Sequence, residues 1–125
     1  MVDLFEGGGS FPRSDRVASS LMRELNEILQ RDVKDPRLTG CAVMRVRLSR
    51  DLKVAWVYLS VFPKENWRSV ERALEKASGF LRREAGRRLR LRRSPELRFE
   101  RDQGVDKMLE MDKILKGLDA GSEEE

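Results

Sequence analysis

The chain has 125 residues, 39% of them hydrophobic and 38% charged, which suits one domain with one modest core. Cys41 is the only cysteine and histidine is absent. No internal disulfide, no Cys–His or Ser–His–Asp catalytic set and no ordinary zinc site can therefore be built, and a reducing compartment is expected. No apolar run reaches the roughly 18 residues that suggest a membrane span, and MVDLFEGGGSF lacks the basic start and apolar centre of a secretory signal. A cytoplasmic protein without membrane attachment is expected.

The net charge of +4 is unevenly spread. Residues 1–63 hold 10 basic and 8 acidic side chains, residues 64–101 hold 13 and 6, and residues 102–125 hold 3 and 8. The middle segment is thus +7 and the last −5, a pattern that suits a polyanionic partner.

Residues 1–13 carry Gly7-Gly8-Gly9-Ser10 and read as a flexible arm. Ser14 is a good N-cap, and Val17, Leu21, Leu25, Ile28 and Leu29 recur at helical spacing, so a helix is expected from about Asp15 to Arg31. Arg13, Arg16 and Arg23 near its start and outer face read as ordinary surface, with a second basic patch as the alternative. Pro36 and Gly40 make residues 32–40 a loop, in which Arg37 is either a phosphate contact or an exposed charge.

Residues 41–49 alternate, with Ala42, Met44, Val46 and Leu48 on one face and Val43, Arg45 and Arg47 on the other. A tight turn at Arg50-Asp51-Leu52 leads to a second strand over residues 53–62, and the two are expected to pair as an antiparallel hairpin. Ala55, Val57, Leu59 and Val61 should meet the helices. Trp56 and Tyr58 then lie opposite, where they stack under Arg45 and Arg47, pack against a terminal helix or stack on bases.

Pro63 ends the strand and Asn66 is placed to cap a helix starting near Trp67. Val70, Ala73, Leu74 and Ala77 form its apolar stripe, and the pattern resumes at Phe80, Leu81, Ala85 and Leu89. Ala77, Ser78 and Gly79 between them are expected to form an interhelical kink, where small side chains let another chain approach. The second helical segment carries Arg82, Arg83, Arg87, Arg88, Arg90, Arg92 and Arg93 with Glu84 as the only acid among them. Arg83, Arg87 and Arg90 share one stripe at 3.6 residues per turn. Guanidinium groups match phosphate oxygens through paired hydrogen bonds. Lys76, Arg82, Arg83, Arg87, Arg90, Arg92 and Arg93 are therefore the candidate RNA-binding residues. No catalytic residue, metal ligand or cofactor site is expected.

Glu96 to Arg101 alternates with Leu97 and Phe99 inward, a third strand. Residues 103–118 suggest a C-terminal helix with Val105, Met108, Leu109, Met111, Leu115 and Leu118, and residues 119–125 an acidic disordered tail. The order helix, strand, strand, helix, kink, helix, strand over residues 14–102 implies an α+β domain with a three-stranded sheet covered on one face by helices.

That order is similar to the type II KH fold, whose Gly-x-x-Gly loop between two helices clamps a nucleic-acid backbone. This chain has no Gly-x-x-Gly; Ala77-Ser78-Gly79 stands in its place. Together with Asp35-Pro36-Arg37-Leu38, Val46-Arg47-Leu48-Ser49-Arg50-Asp51-Leu52, Phe80-Leu81-Arg82, Pro95-Glu96-Leu97-Arg98-Phe99 and Asp102, it resembles the ribosome-binding factor A family of bacterial assembly factors. Those factors have a KH-like fold with an Ala-x-Gly kink. The resemblance spans roughly residues 14–118, with Gly104 where the family more often has serine. It implies a non-enzymatic, monomeric factor that binds the free small (30S) ribosomal subunit and assists late maturation and 5′-end processing of 16S rRNA. It further implies work alongside other maturation factors including GTPases, and a role in growth in the cold. The alternatives are a general single-stranded RNA- or DNA-binding KH-like module and a basic domain that docks on an acidic protein.

Overall fold

A computed structural model describes residues 13–104 together with Met111, Ile114 and Leu115. Five main elements follow in order: α1 (Arg13–Arg31), β1 (Ala42–Leu48), β2 (Val54–Ser60), α2 (Trp67–Leu89) and β3 (Glu96–Arg101). Single 3-10 turns lie at Pro36–Leu38 and Lys64–Asn66. The sheet order is β1-β2-β3; β1 and β2 are antiparallel, whereas β3 runs parallel to β2. A parallel return needs a crossover, and α2 supplies it.

Both helices pack on the same face of the sheet. α1 buries Leu21, Leu25, Ile28 and Leu29, and α2 buries Val70, Ala73, Leu74, Leu81 and Ala85. They meet Val43, Ala55, Val57, Leu59 and Leu97 from the strands in one core. This is the expected α+β arrangement, with the expected inward face of β2.

Three local expectations are corrected. The helical stretch is not interrupted: α2 is one helix of 23 residues through Ala77, Ser78 and Gly79. Its apolar stripe never loses phase, because Val70, Leu74, Ala77, Leu81 and Ala85 keep steps of three or four. Ser78 joins the helix and donates its hydroxyl to the Glu75 carbonyl at 2.8 Å. In β1, the register shifts between Val43 and Arg45, so Met44 is the extra residue of a bulge and is 48% exposed. Val43 is expected to share a face with Arg45 and Arg47; the bulge reverses its side and buries it in the core. The Asn26 carboxamide supports that reversal, accepting from the Val43 N–H at 2.7 Å and donating to its carbonyl at 3.0 Å. Capping also differs. α1 begins at Arg13 and takes buried Ser14 into its first turn, and Asn66 makes no side-chain cap because a 3-10 turn leads into α2.

On the open face of the sheet, guanidinium groups lie over the aromatic rings. The Arg45 guanidinium carbon is 4.3 Å from the Tyr58 ring centre, and those of Arg47 and Arg98 are 5.4 and 6.0 Å from Trp56. After β3, the Gly104 N–H donates to the Asp102 carboxylate at 3.0 Å. Met111, Ile114 and Leu115 are helical and exposed. The rest of the proposed C-terminal helix, the glycine-rich arm up to residue 12 and the acidic tail lie outside the described residues.

Arg88 ties the two helices. Its guanidinium reaches Glu24 at 3.2 Å, Glu27 at 3.0 Å and Asp32 at 2.7 Å on or just after α1, and Glu84 on its own helix at 3.5 Å. Glu84 also pairs with Arg87, and these hydrogen bonds, Arg87's foremost, hold its pKa below the ordinary value. A lowered carboxylate pKa contributes stability above the unfolded-state value, lost as pH falls through the folded-state one. Arg88→Met keeps much of the aliphatic bulk but leaves these carboxylates facing one another. It should melt several degrees below the parent at pH 7. The gap should narrow as pH falls through the depressed titration of Glu84, as followed by circular dichroism.

Candidate nucleic-acid interface

The C-terminal end of α2 sets the position of the basic residues. The Leu91 N–H donates to the Gly86 carbonyl at 2.9 Å and the Arg90 N–H to the Arg87 carbonyl at 3.2 Å. This pair of bonds closes the helix through a residue in the left-handed region. Here that residue is Arg90, at φ 54, where glycine is usual. The chain then doubles back so that Ser94 lies against Gly86: a Cβ built at 86 would stand 3.3 Å from the Ser94 Cβ and overlap its Oγ. The Arg82 guanidinium fastens the return, donating to the Ser94 and Pro95 carbonyls, both at 3.0 Å.

This turn, the β1–β2 turn and the start of α1 enclose an open hollow of about 970 Å³. Arg13, Lys53, Arg87, Arg90, Arg92 and Arg93 line it, with Asp51 as its single acid. Asp51 Oδ1 is already engaged by the Ser49 hydroxyl at 2.7 Å and the Lys53 N–H at 3.1 Å. A smaller hollow of about 320 Å³ shares Arg13, Arg90 and Leu91 and adds Arg16, Val17 and Ser20 along α1. The first turn of α1 also brings the positive end of a helix dipole to this place. Among the described residues, no side-chain hydrogen bond or ion pair engages the guanidinium groups of Arg13, Arg90, Arg92 or Arg93. Such a surface suits a chain of phosphates.

The expected RNA-binding residues therefore divide. Arg87, Arg90, Arg92 and Arg93 converge on the hollow, although Arg87 is paired with Glu84. Arg90 leaves the helix in a left-handed turn, so the stripe of Arg83, Arg87 and Arg90 does not continue as a helical row. Arg82 is spent on two carbonyls. Arg83 is exposed beside Gly79, and the charge of Lys76 is felt by Asp35. Asp35 is held to a pKa of about 2, chiefly by the Arg37 guanidinium, which donates to it at 2.7 and 3.1 Å. Arg37 is thus committed to its own loop. Sequence reasoning missed Arg13 and Lys53 as members of the hollow. Nothing in the spacing links them to residues 87–93; only the fold does.

Two substitutions test this turn. Gly86→Ala should destabilise the domain by about 1–3 kcal/mol through overpacking, with partial recovery in Gly86→Ala/Ser94→Ala, both read by urea denaturation. Arg90→Gly should relieve roughly 1 kcal/mol of left-handed strain, raising Tm, while weakening binding to a polyanion in heparin chromatography.

The ribosome-binding factor A family profile matches residues 13–115. A ribosome-binding factor A from Caldicellulosiruptor saccharolyticus is 40% identical over 119 residues, covering 92% of this chain and 88% of that protein. One from Streptococcus pneumoniae is 42% identical over 110 residues, covering 86% and 94%. The crystal structure of ribosome-binding factor A from Thermus thermophilus superposes with a TM-score of 0.64 at 38% identity, covering 70% of this chain and 94% of that one. Coordinates of a homology model of the Thermus thermophilus factor, fitted into the cryo-EM map of a 30S–RbfA complex, give a TM-score of 0.59 at 39% identity, covering 68% and 90%. With the KH-like fold and nearly the whole relative matched, the chain belongs to the ribosome-binding factor A family.

Proposed function

We propose that this chain binds the small (30S) ribosomal subunit through phosphates of 16S rRNA, using the hollow at the C-terminal end of α2. The observation that carries this reading is the convergence of Arg13, Lys53, Arg90, Arg92 and Arg93 from three separate segments around one engaged acid. The Thermus thermophilus relative in a 30S–RbfA complex supports the choice of target. Lys76 and Arg83, exposed along α2, extend the contact, while Arg82 acts by holding the return loop in place.

The finer role rests on family membership: assistance in late maturation and 5′-end processing of 16S rRNA, without chemistry of its own, as a cytoplasmic monomer working alongside maturation GTPases, with importance in the cold. A binding role agrees with a surface whose positive groups are lysine and arginine. Its charge stays nearly constant between about pH 5 and 8, because no histidine titrates there.

Sedimentation of cell extract through a sucrose gradient tests the target. The protein should travel with free small subunits, and Arg92→Glu/Arg93→Glu should stay at the top of the gradient while keeping a native circular dichroism spectrum. Binding of purified subunits should weaken steeply with salt, with a log–log slope of about −3 to −5 if these five cations each release a counterion. A flat salt response would overturn phosphate binding. Equal affinity for free single-stranded RNA and for subunits would instead favour a general nucleic-acid-binding module.

A further inference from the structure

The open face of the sheet is remote in character from the hollow, since both helices pack on the other side. β1 places Arg45 and Arg47 there, two residues apart, and neither has an ion pair among the described residues. Each lies over a ring of β2, Arg45 over Tyr58 at 4.3 Å and Arg47 over Trp56 at 5.4 Å. The register sets these partners, because Arg45 pairs with Tyr58 and Arg47 with Trp56 across the strands. That register runs unbroken from Arg45 to Leu48, on the turn side of the bulge at Met44.

A guanidinium over a ring can lie flat on it, with one side of its plane shielded and its N–H groups directed to the edges. Arg45 and Arg47 are both exposed. A nucleobase can stack on the open side, while the edge donors meet phosphate or base oxygens. Residues two apart on a strand stand about 7 Å apart on one face, within reach of neighbouring nucleotides in an extended single strand. Among the described residues, the acids on this face belong to β3: Glu96, paired with Arg98 at 2.9 Å, and Glu100. The charge that β1 presents there, on Arg45 and Arg47, is complementary to a polyanion.

We infer that the β1–β2 side of the open sheet face is a second binding surface, for single-stranded RNA, in which bases stack on the ring-supported guanidinium planes of Arg45 and Arg47. The surface goes beyond the proposed role of the hollow and stands without it. A chain with both surfaces would hold two RNA segments at separate places on one domain.

The test is side-chain NMR of the full chain titrated with a short oligouridylate, with the Trp56 indole signal assigned in a Trp67→Phe variant. The Trp56 indole and the Arg45 and Arg47 Nε–H signals should shift, and should still shift in Arg92→Glu/Arg93→Glu. Arg45→Ala/Arg47→Ala should lower oligouridylate affinity about tenfold, and Arg45→Lys/Arg47→Lys should recover only part of it, because an ammonium group has no plane to stack on. Unmoved sheet signals beside shifting hollow arginines would overturn this inference and leave the hollow intact. Silence from both sets would overturn both. Full recovery by lysine would overturn stacking. Sheet signals that respond to an acidic peptide and not to the oligonucleotide would overturn it in favour of a protein partner.

Discussion

The side chain of Arg88 decides how charge is distributed over this domain. It gathers Glu24, Glu27 and Asp32 from α1 and its end and Glu84 from α2. Such a cluster is costly to desolvate, and its value lies in fixing one relative placement of two helices as much as in net stability. Its second effect is segregation. Acids close to the arginine run are held at the helix–helix seam, and Arg13, Arg90, Arg92 and Arg93 have no ion pair among the described residues.

The architecture was legible where periodicity was unbroken. The two-residue alternation of Ala55, Val57 and Leu59 and that of Leu97 and Phe99 identified inward faces that burial agrees with. The Arg–aromatic pairs on the far face follow from that alternation. The bulge was not legible: one inserted residue inverts a strand's sidedness, and β1 is apolar enough at Val43 and Met44 to read either way. The supposed break at residues 77–79 was misread for the opposite reason. Ser78 and Gly79 weaken a helix by fractions of a kcal/mol to about one and Ala77 not at all, whereas an apolar stripe that stays in phase through them keeps the helix docked.

The candidate site was half legible for a different reason. A dense run of arginines names the neighbourhood but not the roles within it. Arg82, Arg87, Arg88 and Arg90 are close in sequence and do four different things: one fastens backbone carbonyls, one pairs with Glu84, one joins the helices and one turns the chain. Only tertiary contact separates them, and only tertiary contact adds Arg13 and Lys53.

The hollow draws on Arg13 at the start of α1, Lys53 after the β1–β2 turn and Arg92 and Arg93 just before β3. Residues so far apart in the chain share a surface only once the crossover has been completed and β3 has joined the sheet. An unfolded or half-made chain carries the same charges without the cradle. Whatever polyanion occupies the cradle therefore favours the folded state by mass action, so the target itself becomes a stabilising ligand of the domain that seeks it.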